Sequence, residues 1–275
     1  MKRRKYGDLA ITLFLAVCAV YAVFPIYMAV VNSFKTQGEM LKSVLTLPVK
    51  LHFENYSNAF HEINMLQSAL NTVVVTVIGI AGIIVCASLA GYKLSRTPGK
   101  LSQFIFFLFI ASMLVPFHSI MIPLTRMAKN LGFQGTTWGL AFIYIGLGVN
   151  MAVFLYHGFV KSVPRELEES ARMDGCGELQ TFARIIFPLL LPITVTIAIL
   201  DLLWIWNDFL LPLLMLTNVE RYTLILSTSM LFGEYNNDWS LILSSLVLTA
   251  IPVVIFYAFF QKYIMQGITE GAVKG

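Results

Sequence analysis

Charge is scarce in this sequence. Asp, Glu, Lys and Arg make up only 12% of the 275 residues, whereas 57% are hydrophobic and the mean hydropathy is +0.76. Soluble domains contain about a quarter charged residues. The composition therefore excludes an ordinary soluble domain and indicates a chain that is surrounded mostly by lipid.

Cysteine and the usual catalytic motifs are also scarce. Cys18 and Cys86 lie in apolar runs and Cys176 lies between two such runs, so there is no disulfide framework and no metal-ligand spacing. The sequence lacks a Gly-x-x-x-x-Gly-Lys-Ser/Thr loop for ATP phosphates. It also lacks a Ser/His/Asp, HExxH or Gly-x-Ser-x-Gly arrangement. We therefore expect a protein that is not an enzyme, with no catalytic residues, no metal site and no bound cofactor.

Long hydrophobic runs, in contrast, are abundant. A membrane helix needs roughly 20 mostly apolar residues to cross a hydrocarbon core of about 30 Å. Six runs satisfy this requirement, at about 9–31, 69–92, 104–126, 136–158, 189–216 and 241–261. The sequence thus predicts an all-α polytopic membrane protein with six transmembrane helices. Little chain remains for a soluble domain, so we expect residues 1–275 to form a single transmembrane domain.

The distribution of Lys and Arg predicts the orientation in the membrane. The MKRRK start precedes an apolar run that is too long for a cleavable signal peptide and lacks an Ala-x-Ala exit, so we interpret it as the first membrane helix. Basic residues concentrate on the cytoplasmic side. With MKRRK inside, thirteen of the 19 basic residues lie on that side, namely Lys2, Arg3, Arg4, Lys5, Lys93, Arg96, Lys100, Lys161, Arg165, Arg172, Arg184, Lys262 and Lys274. Both termini and the loop at 159–188 are therefore predicted to be cytoplasmic.

This loop is rich in charge and is predicted to fold as helix, bend and helix. Pro164 suits a first helical turn, and the glutamates that follow it favour the N-terminal end of a helix dipole. Glu168 and Arg172 have the spacing of an i,i+4 ion pair, and Gly175 and Gly177 permit a sharp bend. The predicted apolar strips comprise Val163, Leu167 and Ala171 in the first helix and Leu179, Phe182, Ala183 and Ile186 in the second.

The loop's residues alone leave two interpretations of its role open. An exposed helix–bend–helix with apolar strips has the shape of a surface that a partner protein grips. An amphipathic loop that lies on the membrane surface would have the same pattern.

The fifth run is the most polar membrane segment. Asp201 and Asp208 are seven residues apart, which is two turns of a continuous helix, so we predict that they share a face. A carboxylate in lipid costs about 2.5 kcal/mol or more. This face is therefore expected to meet another helix, a water-filled path or the headgroup region. The candidate substrate-pathway residues are Trp204, Asn207 and Asp208.

The third run contains a proline in its middle. Pro116 is expected to bend the helix because proline has no backbone N–H. His118 beside it is compatible with a proton relay, but a packed or interfacial histidine is the favoured interpretation.

The charged loop resembles the Glu-Ala-Ala…Gly…Ile-x-Leu-Pro loop of ATP-binding cassette (ABC) importer permeases. The matching residues are Glu169, Ser170, Ala171, Gly175, Ile185, Phe187 and Pro188, at the same spacing throughout. Ser170 replaces an alanine and Phe187 replaces a leucine. Other segments resemble the carbohydrate branch, of the maltose type: NSFK at 32–35, AGYKLSR at 90–96, MIPL at 121–124, WNDF at 206–209 and QGITEGAVKG at 266–275.

The resemblance implies a permease subunit of a carbohydrate importer in the bacterial cytoplasmic membrane. The implied partners are a second permease, two ATPase subunits that bind ATP, and an extracytoplasmic solute-binding protein; nucleic acid is not expected. The implied ATPase-coupling residues are Glu166, Glu169, Ser170, Ala171, Asp174, Gly175, Ile185 and Pro188. In the tail, Gly271 and Lys274 are similar to family segments that approach the ATPase pair, and a solvated tail is the alternative.

An ion-coupled secondary transporter is the alternative function, since Asp201 and Asp208 could carry protons. Such transporters usually contain paired repeats or broken helices in two halves, and no convincing repeat is present. A structural membrane anchor would not need acids in the fifth run.

Overall fold

Most of the chain is helical in the part that the structure, a computed structural model, describes. It describes residues 2–233 and 238–272, with side chains at 11–233 and 238–259, and these residues contain no strand. The helices are α1 Lys2–Ser33, α2 Gln37–Lys42, α3 Glu54–Glu62, α4 Met65–Arg96, α5 Lys100–Met113, α6 Phe117–Asn130, α7 Thr137–Val160, α8 Glu166–Met173, α9 Glu178–Thr181, α10 Phe187–Leu189, α11 Leu191–Asn207, α12 Leu210–Met215, α13 Leu224–Ser229 and α14 Trp239–Ala272. A π-helical turn, Phe182–Ile186, joins α9 to α10. The predicted all-α class is confirmed.

Four helices, α1, α4, α7 and α14, are each long and apolar enough to cross a membrane. Two bent pairs reach the same length together: α5 with α6, bent by 103°, and Glu178–Leu189 with α11, bent by 74°. The described residues therefore provide four spans, or up to six if each bent pair is one span. The exact count of six stays a prediction.

The predicted bend in the third run is confirmed. Helix α5 ends at Met113, and α6 begins after Pro116, whose backbone is extended with φ −63° and ψ 134°. Proline suits the start of a helix because it has no N–H to leave unpaired there. Residues 104–126 therefore form two helices instead of one straight rod.

The fifth run is not the continuous helix that the sequence predicts. Helix α11 ends at Asn207, and Asp208 has an extended backbone with φ −75° and ψ 133°. Oδ1 of Asp208 accepts a hydrogen bond from the backbone N–H of Leu210 at 3.0 Å. A local side-chain bond of this kind competes with helical hydrogen bonding, which explains why the helix stops here.

The chain divides into two compact units, Met1–Met65 with Ser227–Ile255 and Leu66–Leu226 with Phe256–Gly275. In the first unit, Lys35 is fully buried. Its Nζ donates to Oδ1 of Asn32 at 2.8 Å and to the carbonyls of Ser43 and Val44. These bonds satisfy the ammonium group and hold the segment after α1 in place.

The single domain over 1–275 stays a prediction.

In the second unit, α4 packs closely against α7. A Cβ placed on Gly91 would lie 2.7 Å from Cβ of Tyr156, and one on Gly82 would lie 2.2 Å from Cδ1 of Ile145. Small residues at such points let two helix backbones approach. The core around this contact includes Ile83, Tyr144 and residues of α11.

Candidate functional site: a charged loop and a polar cavity

The charged loop folds as a short acidic helix followed by a left-handed turn. Helix α8 carries three glutamates in its first turn and Arg172 in its last, which suits the helix dipole at both ends. Gly175 has a φ of +82°. Its N–H donates to the carbonyl of Arg172 at 3.0 Å, and the N–H of Cys176 donates to the carbonyl of Ala171 at 2.9 Å. This is the Schellman arrangement, in which a glycine ends a helix by satisfying its last carbonyls.

The second half of the loop restarts the helix directly after the bend. Gly177 is the N-cap of α9, and its N–H donates to Oε1 of Gln180 at 3.3 Å. The π-helical turn follows and places Phe182 and Ile186 in the core. The predicted order of helix, bend and helix is therefore confirmed.

The predicted apolar strip of the second helix is divided between the core and the surface, since Phe182 and Ile186 are buried whereas Leu179 and Ala183 are exposed. One predicted contact is corrected. Glu168 forms its ion pair with Arg96 instead of Arg172, since its side chain points into the protein and is 7% exposed.

The end of α4 holds the loop through a buried polar cluster. Nε of Arg96 donates to Oε1 of Glu168 at 2.5 Å, and Nη2 of Arg96 donates to the carbonyl of Val163 at 2.7 Å. The hydroxyl of Tyr92 donates to Oε2 of the same glutamate at 2.9 Å. We call Tyr92, Arg96 and Glu168 the loop clamp. The sequence did not single out these three residues as a group.

The residues assigned to ATPase coupling lie mostly on the outer surface of the loop. Exposed are Glu166, Glu169, Ser170, Asp174, Gly175 and Pro188. Ala171 is buried and Ile185 is half-buried. Met173 is among the most exposed hydrophobic residues of the chain. The loop thus presents acidic and apolar groups outward while the clamp holds its inner side.

A cavity of about 670 Å³ lies where α5 meets α6 and where α11 ends. Its polar lining consists of Ser112, His118, Asn150 and Asp208, and Trp204 adds an indole ring. Oδ2 of Asp208 accepts a hydrogen bond from the hydroxyl of Tyr144 at 2.7 Å. The ring of Tyr144 meets that of Trp204 edge-on, with centroids 5.3 Å apart. The two helix breaks therefore create a pocket with hydrogen-bonding groups beside an aromatic ring.

The pathway residues proposed from the fifth run separate in the structure. Trp204 and Asp208 line the cavity. Asn207 is exposed and its Nδ2 donates to the carbonyl of Leu203 at 2.7 Å, so it does not join them. Asp201 is 9% exposed, and no hydrogen-bond partner of its Oδ2 is present among the described residues.

The sequence did not predict three residues of this site: Ser112 and Asn150, which line the cavity, and Tyr144, which bonds to Asp208. They stand in apolar runs with no spacing that marks them. His118 was noted beside the proline bend, but the sequence favoured a packed or interfacial histidine there. In the tail, Lys274 lies outside the described residues, and Gly271 is described only as helical backbone.

Residues 83–270 match the family of binding-protein-dependent transport system inner membrane components, and the chain belongs to this family. Its members are ABC transporter permease subunits, which are not enzymes because the ATPase lies on separate subunits. The chain is thus a multi-pass inner membrane protein. The resemblance noted in the charged loop is confirmed.

Two curated relatives span nearly the whole chain. The chain is 40% identical over 252 residues to the probable starch degradation products transport system permease protein AmyC of Thermoanaerobacterium thermosulfurigenes. This alignment covers 92% of both chains. It is 36% identical to the melibiose/raffinose/stachyose import permease protein MelC of Bacillus subtilis (strain 168), with 96% of both chains covered.

A solved structure has the same fold. It is a chain of a bacterial ABC transporter involved in the import of the acidic polysaccharide alginate, with a TM-score of 0.82 and 22% identity. The match covers 96% of this chain and 98% of the other.

Proposed function

We propose that this permease forms, together with a second permease, the membrane path for a sugar or oligosaccharide. The observation that carries the proposal is that relatives 36–40% identical over more than nine-tenths of both chains are named as permeases for starch degradation products and for raffinose-type sugars. The comparisons give no support to an ion-coupled secondary transporter.

The cavity is the part of the chain that suits a sugar. Hydroxyl groups need donors and acceptors, which Ser112, His118, Asn150 and Asp208 supply. The apolar face of a sugar ring packs on an aromatic side chain, and Trp204 provides one. We therefore propose the cavity as this subunit's portion of the substrate path, with Asn207 outside it.

The energy for transport is proposed to come from two ATPase subunits that bind ATP and dock on the charged loop. The loop's outer face offers Glu166, Glu169 and the apolar Met173, a mixture that suits a partner's basic and apolar groups. Closing of the ATPase pair would move this loop and switch the path between its two openings. Gly271 and Lys274 are proposed as a second contact with the ATPase pair.

Delivery and topology complete the proposal. An extracytoplasmic solute-binding protein delivers the sugar. Six spans cross the membrane as one permease domain over 1–275. Both termini and the loop at 159–188 face the cytoplasm. The excess of Lys and Arg on that side supports this orientation.

Reconstitution tests the function directly. The chain is co-expressed with its second permease and its ATPase, and the purified complex is placed in liposomes with the cognate binding protein. We expect ATP-dependent uptake of radiolabelled maltotriose or raffinose and ATP hydrolysis that the loaded binding protein stimulates. Sugar uptake by the chain alone that follows a proton gradient would contradict the proposal.

A further inference from the structure

We infer that the loop clamp is the joint through which the charged loop moves α4, so that Tyr92, Arg96 and Glu168 are positioning residues for transport. This inference rests on the proposed function of the loop. It concerns contacts within this chain, on the side of the loop that faces away from any docked partner.

Arg96 of the loop clamp forms hydrogen bonds with the loop at two separate points. The guanidinium of Arg96 bonds both to the carbonyl of Val163, before α8, and to the carboxylate of Glu168, within α8. Tyr92 bonds to the second oxygen of that carboxylate. Because both oxygens of Glu168 and two nitrogens of the guanidinium are hydrogen-bonded, α8 has little freedom to rotate on the end of α4.

Tyr92 also reaches the second half of the loop. Its ring centroid lies 5.2 Å from that of Phe182, the first residue of the π-helical turn. Tyr92 and Arg96 are four residues apart and therefore lie on one face of α4. This single face thus contacts the loop on both sides of the bend at Gly175.

Helix α4 connects the clamp to the cavity. Its 32 residues extend about 48 Å. A Cβ on Gly79, more than three turns from the clamp, would lie 3.1 Å from Cδ1 of Ile205 and 3.6 Å from Cβ of Tyr144. Tyr144 in turn donates to Asp208 in the cavity. A displacement of the loop therefore has a packed route to the substrate path, provided that the clamp is rigid.

Burial distinguishes the clamp from a second ion pair at the same helix end. Nζ of Lys93 lies 2.9 Å from Oε2 of Glu178, but these side chains are 61% and 69% exposed. The side chains of Arg96 and Glu168 are 11% and 7% exposed. Exposed pairs contribute little, whereas removing one partner of a buried pair leaves an uncompensated charge. Lys93→Gln is therefore the matched control.

The test measures the number of sugar molecules transported for each ATP hydrolysed, in the reconstituted complex. The variants are Glu168→Gln, Tyr92→Phe, Lys93→Gln and the double variant Arg96→Gln/Glu168→Gln. We expect the ratio to fall at least tenfold in Glu168→Gln, less in Tyr92→Phe, and not at all in Lys93→Gln. A role limited to stability would lower uptake and hydrolysis together and would leave their ratio unchanged.

The double variant keeps the test decisive if a single variant folds poorly. It contains no unpaired buried charge, so the melting temperature of the complex is expected to recover towards the wild type while the ratio stays low. A wild-type ratio in the double variant, or an equal loss in Lys93→Gln, overturns the clamp while wild-type uptake still supports the proposed function. Absence of ATP-driven uptake in the wild-type complex overturns both.

Discussion

At the level of single residues, the informative feature is how three buried or half-buried acids are hydrogen-bonded. Asp208 has a protein donor on each carboxylate oxygen, Tyr144 and the N–H of Leu210. Glu168 has Arg96 and Tyr92. Asp201, in contrast, has an oxygen without a partner among the described residues. The first two acids are thus held by hydrogen bonds to both of their carboxylate oxygens.

Tyr144→Phe should reduce sugar uptake with little effect on assembly. Loss of the hydroxyl removes one of the two donors that orient Asp208 in the cavity, and a lost hydrogen bond to a charged group costs about 1.5–3 kcal/mol. We expect the initial uptake rate to fall several-fold at sub-saturating sugar, measured in proteoliposomes. The control is Tyr156→Phe, which removes a buried tyrosine bond to Thr194 away from the cavity. Equal effects of the two variants would contradict a specific role of Tyr144.

Asp201→Asn separates ATP-driven transport from the ion-coupled alternative. Asparagine keeps the shape of the side chain but removes the ionisable carboxyl, whose charged form would lack full compensation at this buried position. We therefore expect near wild-type uptake and an unchanged or higher melting temperature of the complex. If Asp201 carried protons, uptake would be lost and the wild-type activity would be sensitive to a protonophore.

At the level of helices, the breaks between helices shape both parts of the candidate site, the cavity and the charged loop. The break at Pro116 and the end of α11 at Asn207 together border the cavity. The break at Gly175 shapes the loop. Broken helices inside a membrane protein are tolerated where the freed backbone lines a cavity or is buried in protein. Substitutions at these breaks are therefore expected to reduce transport more than substitutions within the helices.

Gly175→Ala should impair transport, and Gly175→Pro should abolish it, while the chain still inserts. A left-handed φ costs a non-glycine residue roughly 1–2 kcal/mol, and proline cannot reach +82°. Gly177→Ala is the control, because Gly177 has an ordinary φ of −70° and a Cβ at either glycine meets nothing within 4 Å. Uptake and the amount of chain in the membrane are measured for each variant. Normal uptake by Gly175→Pro would remove the bend from the mechanism.

At the scale of the whole molecule, the chain is an apolar helical scaffold with a charged loop. Its exposed large hydrophobic residues are numerous along α1, α4 and α5, as expected for helices that face lipid or a partner subunit. Nine of its charged residues lie in 161–184. The orientation of this loop relative to the membrane is therefore the central topological prediction.

Cys176 provides a direct test of the orientation. It lies beside the bend and is partly exposed, whereas Cys18 and Cys86 lie in membrane-spanning helices. In a Cys18→Ser/Cys86→Ser background, a membrane-impermeant maleimide should label Cys176 in inside-out vesicles and not in intact spheroplasts. Labelling of spheroplasts alone would place the loop outside and overturn the proposed topology.

Features that depend on near neighbours along the chain could be predicted from the amino-acid sequence. Apolar runs of sufficient length predict membrane helices because each such segment must satisfy its own backbone in lipid. The glycine and proline positions predicted the bends at Gly175 and Pro116, since these residues restrict or widen the local backbone choices. The fixed spacing of the loop motif was enough to indicate the family.

Which side chains contact each other depends on how the helices pack, which local sequence patterns do not show. Asp208 bonds to Tyr144, 64 residues away in the chain, and Glu168 bonds to Arg96, 72 residues away. The sequence predicted Arg172 as the partner of Glu168 and a continuous helix through Asp208, and both predictions failed. Helical spacing describes contacts within one element, whereas a buried acid pairs with the donor that the packing of other elements brings to it.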